Sequence, residues 1–404
     1  MSDPDAVARD GLCTGCGGCA AALGPERVAM AMSAEGYLRP VVKRPLGTDK
    51  RRVFDQVCAG RTIDGALLPE RAGYDPLWGP IAELATGWAL DPATRYRGSS
   101  GGVISALAIA LLEAGEVDGV LATGADPDDP IDNRTTMLGT RKAVLGAAGS
   151  RYAPSSPLAG LEAELASGRR FAFVGKPCDV ATLRRMARRD DRIDRQVPYM
   201  LAFFCAGVPS RRGTVAVLDA LGVEEREVVR FQYRGDGWPG LARATTGDGR
   251  APAMDYNGSW GNILNRHLQF RCKICPDGTG EFADLVCADA WYGKDGYPDF
   301  AERDGRSLVI ARTARGRALL DRARAAGAVA TEPLAVAEIE RMQPYQAHRK
   351  RNLAARWAAV RINRRTAPRY RRMSLLRLAL GAAKVEQLRN FYGTLRRTRG
   401  STLA

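Results

Sequence analysis

Near the start of the chain, Cys13-Thr14-Gly15-Cys16-Gly17-Gly18-Cys19 sets three thiols at two successive C-x2-C steps. This spacing constrains the fold more than any other feature. One loop must wrap its thiolates around a common centre, and the glycine spacers permit backbone conformations that aim N–H groups at cluster sulfurs. A bacterial ferredoxin run would continue x3-C-P, but position 23 is Leu, so the segment is expected to hold one [4Fe-4S] cluster with a remote fourth ligand. Cys58, in V-C-A-G, is the only other cysteine among the first 177 residues and is the candidate. A zinc knuckle and unliganded thiols are the alternatives, although zinc sites usually pair C-x2-4-C with a second pair.

The other five cysteines are spread along the chain. Phe171-Ala172-Phe173-Val174 is an apolar run ending at Gly175-Lys176-Pro177-Cys178, and Val180 to Arg188 then reads as a helix. Tyr199 to Phe204 is a second apolar run, leading into Cys205-Ala206-Gly207. Both cysteines fall at the carboxyl ends of predicted strands, the edge where open α/β sheets place ligands. Adjacent strands lie about 4.8 Å apart, so two such thiols could reach one cluster. Cys272-Lys273-Ile274-Cys275 supplies a C-x2-C pair and completes a set of four. Taken singly, Cys178 or Cys205 reads as a buried inert thiol, and the pair changes that balance. Cys287, inside Leu285-Val286-Cys287-Ala288, is expected to be an inert core cysteine.

Between the two groups, Arg97-Gly98-Ser99-Ser100-Gly101-Gly102 precedes Val103 to Ala114, which reads as a buried helix, and Val117 to Ala122 follows as a strand. Such a turn at a helix N-terminus presents N–H groups and hydroxyls to an anion. Ser-Gly turns also cap ordinary helices, so the turn alone leaves phosphate binding open. It is neither a G-x-G-x-x-G fingerprint nor a P-loop.

The formal net charge is +15, and its distribution is uneven. Residues 341–404 carry 17 Lys and Arg against the single acid Glu386, whereas the first 340 residues hold 43 basic and 44 acidic residues. A neutral body offers nucleic acid no second contact, so nucleic acid is an unlikely partner despite the basic pI. An acidic electron donor or an anionic membrane surface fits the tail better. Leu375 to Leu380 and Val385 to Leu388, flanked by Arg377, Lys384 and Arg389, suit a basic amphipathic helix lying on lipid. The alternative is a helical extension that packs on the body by those leucines. With 45% hydrophobic and 26% charged residues the composition is that of a globular protein, and no apolar run approaches the ~20 residues of a membrane span. The acidic, polar start MSDPDAVARDG lacks secretory features, so a cytoplasmic protein is expected, peripheral at the inner membrane face if the tail binds lipid.

Several motifs occur in one order: C-T-G-C-G-G-C, R-G-S-S-G-G-V-I-S-A-L, S-R-Y-A-P-S at 150–155, G-K-P-C-D-V-A-T-L-R at 175–184 and F-F-C-A-G-V-P-S at 203–210. Y-R-G-D-G-W-P-G at 233–240, R-C-K-I-C-P-D at 271–277 and A-D-L-V-C-A-D-A-W at 283–291 follow. The series, over residues 10–320, resembles the coenzyme F420 hydrogenase/dehydrogenase beta-subunit family, which includes 7-hydroxymethyl chlorophyll a reductase and ferredoxin-dependent divinyl chlorophyllide reductase. The resemblance implies FAD near Ser99, Ser100, Gly101 and Gly102, with [4Fe-4S] clusters beside it, the second on Cys178, Cys205, Cys272 and Cys275. The Ser-Ser-Gly-Gly variant is similar to bacterial members associated with polysaccharide metabolism.

The expectation is therefore an α+β fold with an N-terminal ferredoxin-like iron-sulfur module, a central α/β flavin-binding region and a basic helical C-terminal tail. Residues 1–72 form the first module, 73–80 a linker, 81–158 the region of the Ser-Ser-Gly-Gly turn, 159–330 the region of the second cluster and 331–404 the tail. Val309 to Arg312 and Gly316 to Ala326 supply a late strand and helix. Trp238 and Trp291 are candidate walls for the flavin, or else core aromatics. Lys176 and Asp289 are the candidate proton donors. The function expected is an oxidoreductase joining a ferredoxin-like one-electron donor to a two-electron substrate. A non-catalytic electron-relay subunit of a larger redox complex is the alternative.

Overall fold

Five apolar runs buried on both faces build the centre of the protein. The computed structural model describes residues 3–294, 297–363 and 365–399. In it β1 (Glu83–Ala89), β2 (Gly119–Ala125), β3 (Asn133–Leu138), β4 (Phe171–Gly175), β5 (Met200–Phe203), β6 (Leu285–Asp289), β7 (Ser307–Ala311) and β8 (Val329–Pro333) form one sheet. Their order is β8-β1-β7-β6-β5-β4-β2-β3. Strands β2, β4, β5 and β6 are parallel neighbours, with Phe173 opposite Met200 and Leu201 opposite Leu285. The outer pairings β2–β3, β6–β7, β7–β1 and β1–β8 are antiparallel.

Successive residues of these strands enter two different cores. Phe171, Phe173, Met200, Ala202, Val286, Leu308 and Ile310 face one, packed on Val180 and Leu183 of the helix Pro177–Ala187. Ala172, Leu201, Leu285, Cys287 and Val309 face the other, packed on Leu107 and Leu111 of the helix Val103–Glu113. A sheet covered on both faces reads as near-continuous apolar runs, which is why its parallel strands are legible in the sequence.

The N-terminal segment comprises the helix Gly18–Leu23, an antiparallel hairpin of Val28–Met32 with Leu38–Val42, and the helix Thr48–Val57. Leu23 is buried beside Val28 and Phe54. That core continues through Phe270, Ile274, Leu353 and Val360, so the N-terminal segment, the Cys272 segment and the tail share one interior. The expected linker is packed as well. Trp78 is buried and stacks on Phe204 at 6.4 Å, and the buried Arg312 donates to the carbonyls of Trp78 and Pro80.

The basic tail departs from a free arm. Strand β8 crosses residue 331, so the sheet extends into the segment assigned to the tail. The helices Pro344–Arg351, Leu353–Ile362, Leu375–Leu380 and Lys384–Arg397 follow. The first two pack on the body through Gln346, Arg349, Lys350 and Leu353, all buried, and Arg369–Arg371 pairs in parallel with Thr62–Asp64. Leu375 and Leu378 pack on the body, while Leu376 and Leu380 are each 79% exposed, with Val385 and Leu388 exposed beside them, so this stretch divides between the two readings of an inward-packed and an outward-facing helix. Among the described residues no helix is long and apolar enough to cross a membrane.

Candidate functional site: two thiol sets and a cavity

The C-x2-C loop is held open by glycine geometry. Gly15 and Gly17 have φ of 78° and 81°, and a Cβ on Gly17 would lie 2.6 Å from the Ala159 nitrogen. The loop thus presses against the α/β body, where the Gly15 N–H donates to Cys13 Sγ at 3.4 Å. Cys58, at the end of Thr48–Val57, returns to the same place. Cys13, Cys16 and Cys58 all act electrostatically on Cys19. Burial pushes the Cys58 thiol up to about 12, with the neighbouring thiols adding to it. Arg39 lies against Cys13 and partly offsets burial there.

The second set is assembled from three places. Cys178 opens the helix after β4, Cys205 follows β5, and Cys272 and Cys275 come from the short helix Phe270–Lys273 and the turn after it. Burial raises Cys178 well above the usual thiol range, with Cys205 and Cys275 among the neighbours that add to it. Burial and then Cys272 push Cys205 up to about 12. The Val208 N–H donates to Cys272 Sγ at 3.3 Å. Arg271 is buried between the two sets. It donates to the carbonyls of Ala59 and Gly60, beside Cys58, and its charge is felt at Cys178, Cys272 and Cys275. A second bridge runs through Thr182, whose Oγ1 is 3.6 Å from Cys16 Sγ and donates to the Cys178 carbonyl at 2.8 Å. Thiols raised by burial are reactive as metal ligands only when a cation compensates the thiolate. Cys287 is buried in β6 and lines a cavity at the strand ends, with burial alone raising its thiol.

A cavity of about 260 Å³ opens over the carboxyl ends of β2, β4, β5 and β6. Ser99, Ser100 and Gly102 form one wall, Lys176 and Cys205 another, and Tyr152, Tyr256 and Trp260 supply aromatic surface. Gly102 (φ 72°) caps the 11-residue helix Val103–Glu113 with no side-chain cap, so its first N–H groups face the turn. The buried Lys176 ammonium lies 2.8 Å from Asp179 Oδ2 and donates to Ser155 Oγ at 2.7 Å. Burial would lower Lys176, but the Asp179 carboxylate outweighs it and holds the lysine raised and charged. Two buried acceptors on the cavity wall, Asp179 Oδ1 and Gln343 Oε1, have no donor among the described residues. A ligand with anionic groups, a flat ring and N–H donors fits this lining.

Several predicted residues take other roles. Gly101 does not line the cavity. A Cβ there would meet the Gly87 carbonyl at 2.4 Å and the Ser307 nitrogen at 2.8 Å, so this glycine lets the turn seat on β1 and β7. Trp238 and Trp291 are buried core aromatics, stacked at 4.9 Å, and neither lines the cavity. Their inward turn follows from Asp289, which accepts from Trp238 Nε1 at 2.7 Å and pairs with Arg234 at 2.8 Å. Asp289 lines the cavity, as the sequence reading required of a proton donor, and both its carboxylate oxygens are bonded within the protein. The buried Arg234 also donates to the carbonyls of Ser99 and Pro239, tying the turn to the strand end. Gln343 and Tyr345 reach the cavity from the segment expected to be tail.

Residues 84–162 match the family model described as coenzyme F420 hydrogenase/dehydrogenase, beta subunit N-term, and residues 168–336 match the companion model for the C terminus of the same beta subunit. The 7-hydroxymethyl chlorophyll a reductase, chloroplastic, of Oryza sativa subsp. japonica is 26% identical over 220 residues, which is 54% of this chain and 45% of the reductase. The coenzyme F420 hydrogenase subunit beta of Methanococcus voltae is 25% identical over 257 residues, 60% of this chain and 81% of that protein. The chain thus spans less than half the length of the plant reductase and most of the archaeal protein. A chain of the F420-reducing [NiFe] hydrogenase complex from Methanosarcina barkeri shares the fold, with a TM-score of 0.55 at 21% identity over 70% of this chain and 95% of that one. Two adjoining matches, to the N-terminal and C-terminal models of one beta subunit, together cover more than half the residues and place the chain in the coenzyme F420 hydrogenase/dehydrogenase beta-subunit family.

Proposed function

We propose that this protein is an iron-sulfur flavoprotein oxidoreductase. One [4Fe-4S] cluster would sit on Cys13, Cys16, Cys19 and Cys58, a second on Cys178, Cys205, Cys272 and Cys275, and FAD in the cavity beside the second. The observation that carries the proposal is the meeting of eight cysteines from distant segments in two sets of four, with Cys205 shared between the second set and the cavity wall. Among the described residues no three Cys, His, Asp or Glu groups are set tightly enough to hold a single metal ion. A cubane hangs its thiolates on four separate irons and so holds them further apart than zinc, with Zn–S of about 2.3 Å, would.

A bound flavin would supply two-electron hydride chemistry and the clusters one-electron steps. The chain's own part is positional. The Ser99–Gly102 turn and Lys176 present positive ends to phosphate or an anionic ring, Arg234 and Asp289 fix that turn, and Tyr152, Tyr256 and Trp260 exclude water. The relatives, named as a reductase and as hydrogenase and formate dehydrogenase subunits, support a redox role. The alternative, an electron-relay subunit, draws on the presence of the structural neighbour in a multisubunit complex. The exposed Leu376, Leu380, Val385 and Leu388 among Arg377, Lys384 and Arg389 support a peripheral contact of the last two helices with an anionic surface.

Anaerobic purification with iron, sulfide and flavin analysis tests the proposal. About eight iron atoms and one FAD per chain are expected, at about four iron atoms per cluster. Cys272→Ser and Cys13→Ser should each remove half the iron. Full iron retention in either variant would overturn the ligand assignment, and absence of flavin would overturn the cavity assignment. Turnover of a soluble substrate by the isolated chain decides against the relay reading.

A further inference from the structure

The described residues include a second large opening, beside the N-terminal thiol set and sharing no described lining residue with the cavity at the strand ends. It is a cleft of about 540 Å³ lined by Arg61, Arg361, Arg365, Arg369 and Arg371, with Trp357 and Tyr370 between them. No aspartate or glutamate is among its described lining residues. Arg61 pairs with Asp55 outside the cleft. Arg361, Arg369 and Arg371 are exposed and bonded to no carboxylate among the described residues. Arg361 lies over the half-exposed Trp357 ring at 5.8 Å, and the exposed Ile362 adjoins it. Three such arginines around an aromatic residue have the makeup of a protein-binding centre, where Trp, Tyr and Arg dominate the energy.

The floor of this cleft is also the wall of the thiol set. Leu12, which lines it, directly precedes Cys13, and the Arg61 backbone N–H is directed at Cys58. A Cβ on Gly60 would fall 2.5 Å from the Leu12 carbonyl and 3.4 Å from Cys58 Sγ, so cleft and thiols are one residue layer apart. The arginines come from two segments, residues 58–61 and 357–371, brought together by the parallel pairing of Arg369–Arg371 with Thr62–Asp64. Four of the tail's 17 cations, Arg361, Arg365, Arg369 and Arg371, are therefore gathered in front of the N-terminal thiol set.

We infer that this cleft docks an acidic, one-electron carrier protein, whose surface carboxylates meet Arg361, Arg369 and Arg371 and whose redox group then faces the wall in front of Cys13 and Cys58. The inference rests on the proposed function in that the thiol set behind the cleft is taken to be a redox centre. Charge complementarity decides the class of partner, because a field of one sign steers encounter with the opposite sign and fixes orientation. A span of several arginines around an apolar ring matches a folded acidic surface better than a single small anion.

The test uses the full chain as purified and an acidic plant-type [2Fe-2S] ferredoxin as probe, with binding measured at about 50 mM and about 500 mM salt. Arg361→Glu, Arg369→Glu and Arg371→Glu combined should weaken binding at least about tenfold at low salt and abolish most of its salt dependence. Iron and sulfide content should stay at the parent value. A control reversing the exposed, remote Arg226 and Arg243 alters net charge in the same direction and should change affinity less than about twofold. Unchanged binding in the cleft variant, or equal weakening in both, overturns the inference. So does tighter cleft-dependent capture of inorganic phosphate, an oligonucleotide or phosphatidylserine vesicles than of ferredoxin. Cleft-dependent ferredoxin binding by a chain that holds no iron would uphold the docking surface and overturn the proposed function. An iron-loaded parent whose cleft variant binds as before would overturn the docking surface alone.

Discussion

Replacing Lys176 with Met separates the structural from the ligand-binding work of the cavity wall. Methionine keeps the stem's length and apolar volume but removes the cation facing Asp179, which is completely buried. The carboxylate then keeps one protein partner, the backbone N–H of residue 176 at 2.9 Å. Removing one side of a buried ion pair costs about 3–5 kcal/mol, against about 0–1 kcal/mol at a surface, so the size of the loss measures burial. Burial already raises Asp179 above the usual carboxylate range, with Lys176 opposing it. Without Lys176 the folded-state value rises further. A carboxyl that binds its proton more tightly when folded loses stability as pH rises through the folded value and regains it as pH falls towards the unfolded value of about 3.9. The deficit should therefore be widest near about pH 8 and narrow towards about pH 5. Urea midpoints of the full chain at each pH give this directly. Lys176→Met with Asp179→Asn should recover about half the loss or more, since neither charge is then left alone. Flavin content should stay low in both variants if the ammonium holds the ligand. A loss below about 1 kcal/mol with no pH dependence would refute the reasoning.

Gly101→Val should cost about 1–3 kcal/mol or more by forcing a side chain onto Gly87 and Ser307, visible as a lower melting temperature before any flavin is considered. Ser99→Ala with Ser100→Ala should leave stability within about 1 kcal/mol and lower flavin affinity, measured by fluorescence titration. Truncation after Met342 removes Gln346, Arg349 and Lys350 and leaves Glu281 buried without its cation, so the chain should lose the iron of the second set and become prone to aggregation, by iron analysis and size-exclusion chromatography. Leu376→Ser with Leu380→Ser and Leu388→Ser should abolish sedimentation with anionic vesicles while leaving iron content unchanged; equal sedimentation would remove the last two helices from any membrane contact.

The sequence reveals what is local or repeated. The C-x2-C steps, the glycine turn before Val103 and the apolar runs at β4, β5 and β6 are legible because spacing and double-sided burial leave a mark in a few consecutive residues. Strands β1 and β8 are not, since β8 reads V-A-T-E-P and owes its place to pairing with β1 at the sheet edge. The cavity lining is harder still. Arg234, Tyr256, Gln343 and Tyr345 come from loops and from the far side of β8, and nothing in their immediate neighbours signals that they share a wall with Ser99. Trp238 and Trp291 mislead for the opposite reason. They stand beside motif residues, but the Asp289 carboxylate takes the Trp238 N–H and the Arg234 guanidinium, which turns both rings into the core.

The excess positive charge acquires a physical reason only in the folded chain. Lys350 meets the buried Glu281 at 2.6 Å, and Arg349 donates to the carbonyls of Cys205 and Ala206. Arg356 donates to the Lys273 carbonyl next to Cys272, and burial, with Arg349 and Arg397, lowers it to about 10. Arg349 of the basic segment acts on Cys205 and Cys275, together with Lys176 on Cys178 and Arg271 on Cys275. The formal charge of +15 counts every cysteine as neutral. Thiolates on bound iron are not neutral, and a metal site's own charge inverts the local electrostatics. Part of the tail's charge is thus set against buried groups that composition cannot pair with it, Glu281 and the second thiol set. An apo chain should then be less stable than its composition suggests, because like charges remain gathered around thiols that burial keeps protonated. The arginines at 361, 369 and 371 are exposed over the other thiol set, bonded to no carboxylate among the described residues, which is where the proposed acidic partner would offset them.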